Sequence, residues 1–332
     1  MKKTLAILMA ALMLLGLTAC SSAPEATTEP AATAEQTEQT AAPAEEKQSY
    51  TVGICQLVQH PALDAATQGF KDVLTEQLGD SVTIEEGNAS NDIPTCAPIV
   101  NGFVSSGVDL IMANATPALQ AAVAATNTIP ILGTSVTEYG VALNISDFSG
   151  TVGGNVSGTS DLAPLDQLFP DAKTVGILYC SGEANSVYQA NVVKECLEAD
   201  GLTVNIFTFA DSNDVSTVTT SAVAESDVLY IPTDNTAASC TEAIAAVTVP
   251  AGVPVIAGEE GICKGCGLAT LSINYYDLGR TTGEMAVKIL KGEADISEMP
   301  VEYFQGPVKK FNKDMAEKLN VTIPDEYVAI ED

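Results

Sequence analysis

The chain is poor in cationic side chains and contains a single histidine, His60. One imidazole cannot fill the several acid–base and ligating roles of a metallohydrolase or a triad enzyme. Only 14 lysines and arginines stand against 43 aspartates and glutamates, for a formal net charge of −29. Phosphate backbones are held by clustered Lys and Arg, so this balance excludes nucleic acid as a partner. Six of the acidic residues fall before residue 50, so most of the excess belongs to residues 50–332. G-x-S-x-G elbows, Walker loops and H-E-x-x-H pairs are all missing.

Long hydrophobic runs are missing too. The one candidate, residues 5–15, is eleven residues long, against the roughly 20 needed to span a bilayer. It follows Lys2 and Lys3 and ends in small residues before Cys20, which is the layout of a secretory signal peptide over residues 1–19. Leu17-Thr18-Ala19-Cys20 resembles a bacterial lipobox, so Cys20 is the expected lipidation site. Each buried acyl methylene contributes about 0.8 kcal/mol, and two or more chains anchor stably without a spanning helix. The expected location is therefore the extracytoplasmic face of a cell membrane. Residues 20–49 are almost wholly Ala, Thr, Glu, Gln, Ser and Pro and cannot bury a core, which reads as a disordered tether.

Beyond Cys20 there are seven cysteines, an odd number that leaves at least one thiol unpaired. Cys55 and Cys180 lie in apolar runs and look like small core residues. Cys263-Lys264-Gly265-Cys266 is the one close pair. It lacks the further ligands of a zinc site, which leaves a local disulfide or two thiols; no metal and no cofactor is expected.

From residue 50 onward, apolar strand-like runs alternate with segments whose apolar residues fall at helical spacing. The runs 50–58, 81–85, 109–113 and 129–132 interleave with helical stretches at 63–78, 96–105 and 117–125. The pattern restarts with runs at 174–179, 203–208, 227–231 and 254–257, and with helices near 186–199 and from about 237. Continuous apolar strands between amphipathic helices imply parallel sheets covered on both faces. The fold class is α/β, with two doubly wound lobes.

Ligands of open α/β sheets bind beyond the carboxyl ends of the strands. Polar residues gather there: Gln59 and His60, Thr116, Ser135, Asn185 and Ser186, Asp234 and Asn235, and Glu259. Several of them are also natural helix caps, and capping alone would account for their type. As a site, Thr116, Ser186 and Asn235 at helix starts suit a carboxylate, and Asp234 or Glu259 suits an ammonium. Together they suit an amino-acid-like zwitterion. A glycoside hydrolase using Glu259 and Asp234 as its carboxylate pair is the rival from another class.

The segments QHPALDAATQGFKD, NATPALQAA, GGNVSGTSDLAP, KTVGILYCSGEANS, VLYIPTDNTAA, PVIAGEEG and NYYDLGRTTGEMAVKIL follow one another in order. They resemble the ABC transporter substrate-binding lipoproteins of the tryptophan/tyrosine-binding type. The resemblance implies a type I periplasmic-binding-protein architecture with three crossovers and a ligand cleft between the lobes. It places residues 50–158 plus 272–297 in the N-terminal lobe and 159–271 plus 298–332 in the C-terminal lobe. It also adds Ser160 and Asp161, at the first crossover, to the ligand-facing set. A monomer that is not an enzyme, working with an ABC permease and its ATPase, is the implied assembly; a ligand sensor for a membrane receptor would share the fold. One departure from the family stands out. Only residues 165–171 separate Pro164 from Ala172, roughly ten fewer than such proteins carry, which removes a helix expected to cover an apolar face.

Overall fold

The computed structural model describes residues 49–161, 172–304 and 306–331, all within the compact unit Lys47–Asp332. The expected signal peptide, Cys20, the tether up to residue 48 and the whole shortened segment 165–171 lie outside the described residues. No helix among the described residues is long and apolar enough to cross a membrane.

The first sheet is built from β1 (Tyr50–Gln56), β2 (Val82–Asn88), β3 (Leu110–Asn114), β4 (Ile131–Val136) and β5 (Val156–Ser160). Late in the chain β11 (Glu302–Tyr303) joins its edge, giving the order β11-β5-β4-β3-β1-β2. Every pairing in it is parallel. The second sheet takes β6 (Thr174–Cys180), β7 (Thr203–Phe209), β8 (Val228–Ile231), β9 (Val255–Ala257), β10 (Ala269–Ser272), β12 (Val308–Phe311) and β13 (Val328–Ala329). Its order is β13-β12-β10-β9-β8-β6-β7, parallel except where β10 meets β12.

The alternation of β1 shows how one strand serves two cores. Val52 and Ile54 pack with Phe70, Val73 and Leu74 of α1 (Pro61–Leu78) and with Met285 and Ala286 of α10 (Tyr275–Leu290). Cys55 faces the other way, toward Val100 and Phe103 of α2 (Cys96–Ser106) and Leu119 of α3 (Thr116–Ala125). Both faces are dry, which is why these strands are apolar throughout. The second sheet is covered by α5 (Ala184–Ala199) on one face. The other face carries α6 (Val215–Ala224), α7 (Asn235–Ser239), α8 (Thr241–Ala251) and α9 (Glu260–Gly265). The short α4 (Tyr139–Ala142) follows β4, and α11 (Lys313–Leu319) packs its Met315 and Ala316 on Leu268.

Helices α1 and α10 approach closely because glycines meet backbone. A Cβ at Gly279 would lie 1.9 Å from the Ala66 carbonyl oxygen, and one at Gly69 2.1 Å from that of Tyr276. Neither obstacle is a flexible side chain. Gly279→Ala is therefore expected to cost about 2–3 kcal/mol by overpacking, read as a lower urea midpoint with an unchanged slope.

The sheets shift the expected lobe boundaries. Residues 159–160 complete β5 and residues 302–303 form β11, so both belong to the first sheet rather than the second lobe, while Ser272 ends β10 in the second sheet. The polar segment Val-Ser-Gly-Thr-Ser carries little apolar signal, yet all five of its residues are buried. Likewise β4 begins at Ile131 and runs through Gly133, Thr134 and Ser135, which the sequence suggested as a loop. Their burial against β5 and α10 decides it. A ring of hydroxyls closes that contact: Thr134, Thr159 and Thr282 lie 2.9–3.2 Å from one another.

Candidate functional site

The connections after β1, β3, β4, β6, β8 and β9 all open toward the junction of the two lobes, and they divide by how each following helix is capped. Asp234 accepts from Ala237 N–H at the start of α7 and, through its other oxygen, from Cys180 N–H. Glu259 accepts from Gly261 and Ile262 N–H at the start of α9. Glu138 does the same for α4. By contrast α1, α3 and α5 have no side-chain cap at all: their N-cap residues are His60, Ala115 and Glu183. Backbone N–H groups at such ends favour an anionic group.

Two residues here hold uncommon backbone conformations. Ala115, just before α3, has φ +88°, and Ser135, at the irregularity where β4 pairs with β5, has φ +53°. Such conformations for residues with a Cβ cost about 1–3 kcal/mol each and concentrate at binding sites.

Four buried polar atoms at this junction have no hydrogen-bond partner within the protein: His60 Nδ1, Ser135 Oγ, Asp161 Oδ1 and Asn185 Oδ1. The rest of each side chain sets the role left to its free atom. The Asn185 amide donates to the Thr233 carbonyl at 2.8 Å, which leaves its oxygen as an acceptor. Tyr275 donates to Asp161 Oδ2 at 3.0 Å, so the unpartnered Oδ1 of the same carboxyl is an acceptor as well. His60 Nε2 meets Asn235 Oδ1 at 3.3 Å, and the Asn235 amide is itself spent on Glu183 at 2.6 Å. Nε2 is therefore the donor, and Nδ1 a lone pair on neutral imidazole or a donor on imidazolium.

Charge at the junction is one-sided. Asp161, Glu183, Asp234 and Glu259 are all buried, while no lysine or arginine is buried among the described residues. Burial raises the Asp161 carboxyl above its ordinary range, against hydrogen bonds from Thr137 and Tyr275. Asp234 is pushed up to about 8, first by burial and then by the neighbouring Glu183. Glu259 is raised by burial, with His60 acting in the opposite direction. The Tyr275 hydroxyl is raised by burial and by Asp161 and Glu259, which sets it between the lobes.

Of the residues singled out in the sequence, the structure brings His60, Asp161, Asn185 and Asn235 to the junction, with Ser135 and Thr116 buried at the ends of β4 and β3. Ser160 is buried and donates to the Thr137 carbonyl. Ser186 is buried beside Asn185, which donates to its hydroxyl. Gln59 is exposed. Asp234 and Glu259, proposed from the sequence as ammonium partners, have each oxygen engaged by a backbone N–H. Asp161 is the carboxylate with an unpartnered oxygen.

Several residues were not legible in the sequence. Glu183 accepts from Asn235 N–H, Thr236 N–H and hydroxyl, and the amides of Asn235 and Asn185, at 2.6–3.3 Å. Gln189 donates to Thr137 Oγ1 across the junction at 3.0 Å, and Thr236 to Asn91 at 3.3 Å. Glu183 sits between Gly182 and Ala184 in a segment that reads as a polar loop; all its partners but Asn185 are some fifty residues away, at the start of α7. Among the described residues no group of three or more potential ligands could hold a metal, and Cys263 and Cys266 are both buried as thiols.

A family model described as ABC transporter substrate binding protein matches residues 51–331. A tyrosine-binding protein of Clostridioides difficile (strain R20291) is 36% identical over 288 residues, covering 83% of this chain and 82% of its own. Among solved structures, an ABC domain from Streptococcus pneumoniae in complex with L-Trp superposes with a TM-score of 0.80 at 32% identity, covering 85% of this chain and all of the other. The ligand-free, open structure of a Clostridium difficile substrate-binding protein with adhesive properties gives 0.64 at 38% identity, over 85% of this chain and 99% of that one.

Proposed function

The chain belongs to the ABC transporter substrate-binding protein family, and from that premise we propose that it captures an amino-acid zwitterion between its lobes. The captured ligand passes to an ABC permease and its ATPase. Lipidated Cys20 holds the protein on the extracytoplasmic face of the membrane, and the folded body works as a monomer.

The observation that carries this reading is the set of unpartnered buried atoms, which come from both lobes and from the crossover between them. Leaving a buried polar atom unpaired costs about 1–3 kcal/mol, and an ammonium would satisfy two acceptors at once. Asp161 Oδ1 and Asn185 Oδ1 hold it, and Asp161 supplies the countercharge. The carboxylate sits against the uncapped N-termini of α3 and α5, with the Thr116, Ser135 and Ser186 hydroxyls beside it and His60 Nδ1 completing the set. An aromatic side chain is favoured by the tyrosine-binding and tryptophan-bound relatives.

Hinge closure is the working motion. The chain superposes better on the tryptophan-bound pneumococcal domain than on the open, ligand-free protein to which it is more similar in sequence. That ordering supports a closed arrangement here, held by the His60–Asn235, Thr137–Gln189 and Asn91–Thr236 bonds. Ligand favours closure through contacts made to both lobes at once.

Titration calorimetry against L-tyrosine, L-tryptophan, L-phenylalanine, glucose and myo-inositol tests the ligand class. Heat with an amino acid and none with the sugars is expected; the reverse would overturn the assignment. Gln189→Ala, which removes a bond between the lobes and touches no proposed ligand atom, is expected to weaken binding about tenfold, or about 1.4 kcal/mol. The same variant should show a larger radius of gyration by small-angle scattering.

A further inference from the structure

Two of the bonds across the junction end at the start of α7, and both continue into one buried carboxylate. His60 Nε2 donates to Asn235 Oδ1 at 3.3 Å, and the Asn235 amide donates in turn to Glu183 Oε2 at 2.6 Å. Beside it, Thr236 Oγ1 lies 3.3 Å from the Asn91 side chain and 2.8 Å from Glu183 Oε1. Each oxygen of Glu183 thus holds one side chain that reaches the first lobe. It also holds the backbone N–H of the same residue, Asn235 at 3.0 Å and Thr236 at 2.9 Å.

Proton count sets the direction of the second bond. A hydroxyl has one proton, and that of Thr236 faces two acceptors. Glu183 Oε1 is the nearer and belongs to a carboxylate; charge-assisted hydrogen bonds are about twice as strong as neutral ones, so the proton goes there. An amide keeps its outline when its oxygen and nitrogen change places. Turned end for end, Asn91 directs an N–H at the Thr236 hydroxyl instead of receiving from it.

Asn91 is held in position for this. Its own N–H donates to the Leu57 carbonyl at 3.0 Å, just past β1, and Asn88 Oδ1 accepts from Ser90 N–H at 2.8 Å. Ser90 and Asn91 both have positive φ, +53° and +64°. Asparagine tolerates that conformation, which accounts for its presence in the turn but not for its contact with the other lobe. Among the described residues no lysine or arginine is buried, so Glu183 is offset by hydrogen-bond donors rather than by a buried cation.

We propose that Glu183 is the positioning residue of lobe closure: two relays, His60 to Asn235 and Asn91 to Thr236, run from the first lobe into this one second-lobe carboxylate. Its charge polarises both, and hydrogen bonds in such chains strengthen one another. Glu183 touches none of the atoms assigned to the ligand. It acts on affinity through the fraction of protein that is closed, a role that rests on hinge closure as the binding motion.

Asn91→Asp tests the direction of the relay. The substitution keeps the size of the side chain, its tolerance of positive φ and an oxygen toward Thr236, and it removes the N–H. One hydroxyl proton then faces two carboxylates. Ligand-free full chain carrying Asn91→Asp should show a larger radius of gyration by small-angle scattering, with an unchanged urea midpoint. L-tyrosine should bind it about tenfold more weakly. Glu183→Gln, which removes the charge and keeps the outline, should open the ligand-free protein too, and adding Asn91→Asp to it should then change little. An unchanged radius and affinity in Asn91→Asp, or tighter binding, would mean that Thr236 donates to Asn91 and would overturn the proposal. So would effects of the two substitutions that multiply in full, as those of independent contacts do. Absence of heat with every amino acid would remove the ligand assignment alone, because the scattering comparison is made without ligand. Asn91 is only half-buried, so its variant decides the direction even where Glu183→Gln fails to fold.

Discussion

Asp161→Asn is expected to weaken binding of L-tyrosine or L-tryptophan at least about a hundredfold, on the order of 3 kcal/mol, with little change in melting temperature. The substitution keeps the shape of the side chain and an acceptor for the Tyr275 hydroxyl, so the contact between residue 161 and the start of α10 survives. What it removes is the negative charge at the one junction carboxylate whose second oxygen has no partner in the protein. A neutral ligand such as a sugar would lose far less, so calorimetry on this variant separates the two classes.

The same carboxyl gives the pH dependence a sign. Its ordinary pKa is 3.8, and burial raises it in the folded protein. A raised carboxyl contributes stability that is complete below the ordinary value and is lost as pH rises through the raised one. Asp234, pushed up to about 8, acts in the same direction. The ligand-free domain should therefore gain stability between neutral pH and pH 5 from Asp234, with Asp161 acting in the same sense. An ammonium instead favours ionised Asp161, so affinity should fall as pH is lowered and the carboxyl protonates. Thermal melts and titrations at matched pH check both trends.

Glu183→Ala is expected to cost about 3–5 kcal/mol of folding stability, read from the urea midpoint. Five donors converge on this buried carboxylate: two N–H groups at the start of α7, the Thr236 hydroxyl and the amides of Asn235 and Asn185. Truncation strands all of them where water cannot enter without opening the second lobe. Because Glu183 also orients Asn235, which meets His60, binding should weaken alongside. Asp234→Ala is the contrast. Its oxygens serve Ala237 and Cys180, so its loss should resemble a lost helix cap, about 1–2 kcal/mol, rather than a lost ammonium partner.

The two α/β lobes were legible in the amino-acid order, because strands buried on both faces must be continuously apolar and the helices over them amphipathic. So were the connections that carry polar residues beyond the strand ends, which is where His60 and Asn185 are found; Asp161 came from the family resemblance, and Ser135 lies inside β4. Strands β5 and β11 were not. The first is polar and becomes a strand through burial against its neighbours, and the second is two residues long and exists through pairing with β5. Nor could the sequence distribute labour among the carboxylates, since Asp234, Glu259 and Asp161 differ little as letters. Three-dimensional packing makes two of them helix caps and leaves Asp161 with an unpartnered oxygen, because a hydrogen bond depends on what lies within about 3 Å in space. The contacts of Glu183 with Thr236 and of Gln189 with Thr137 join residues 53 and 52 positions apart along the chain. Pairing over that range comes from the fold.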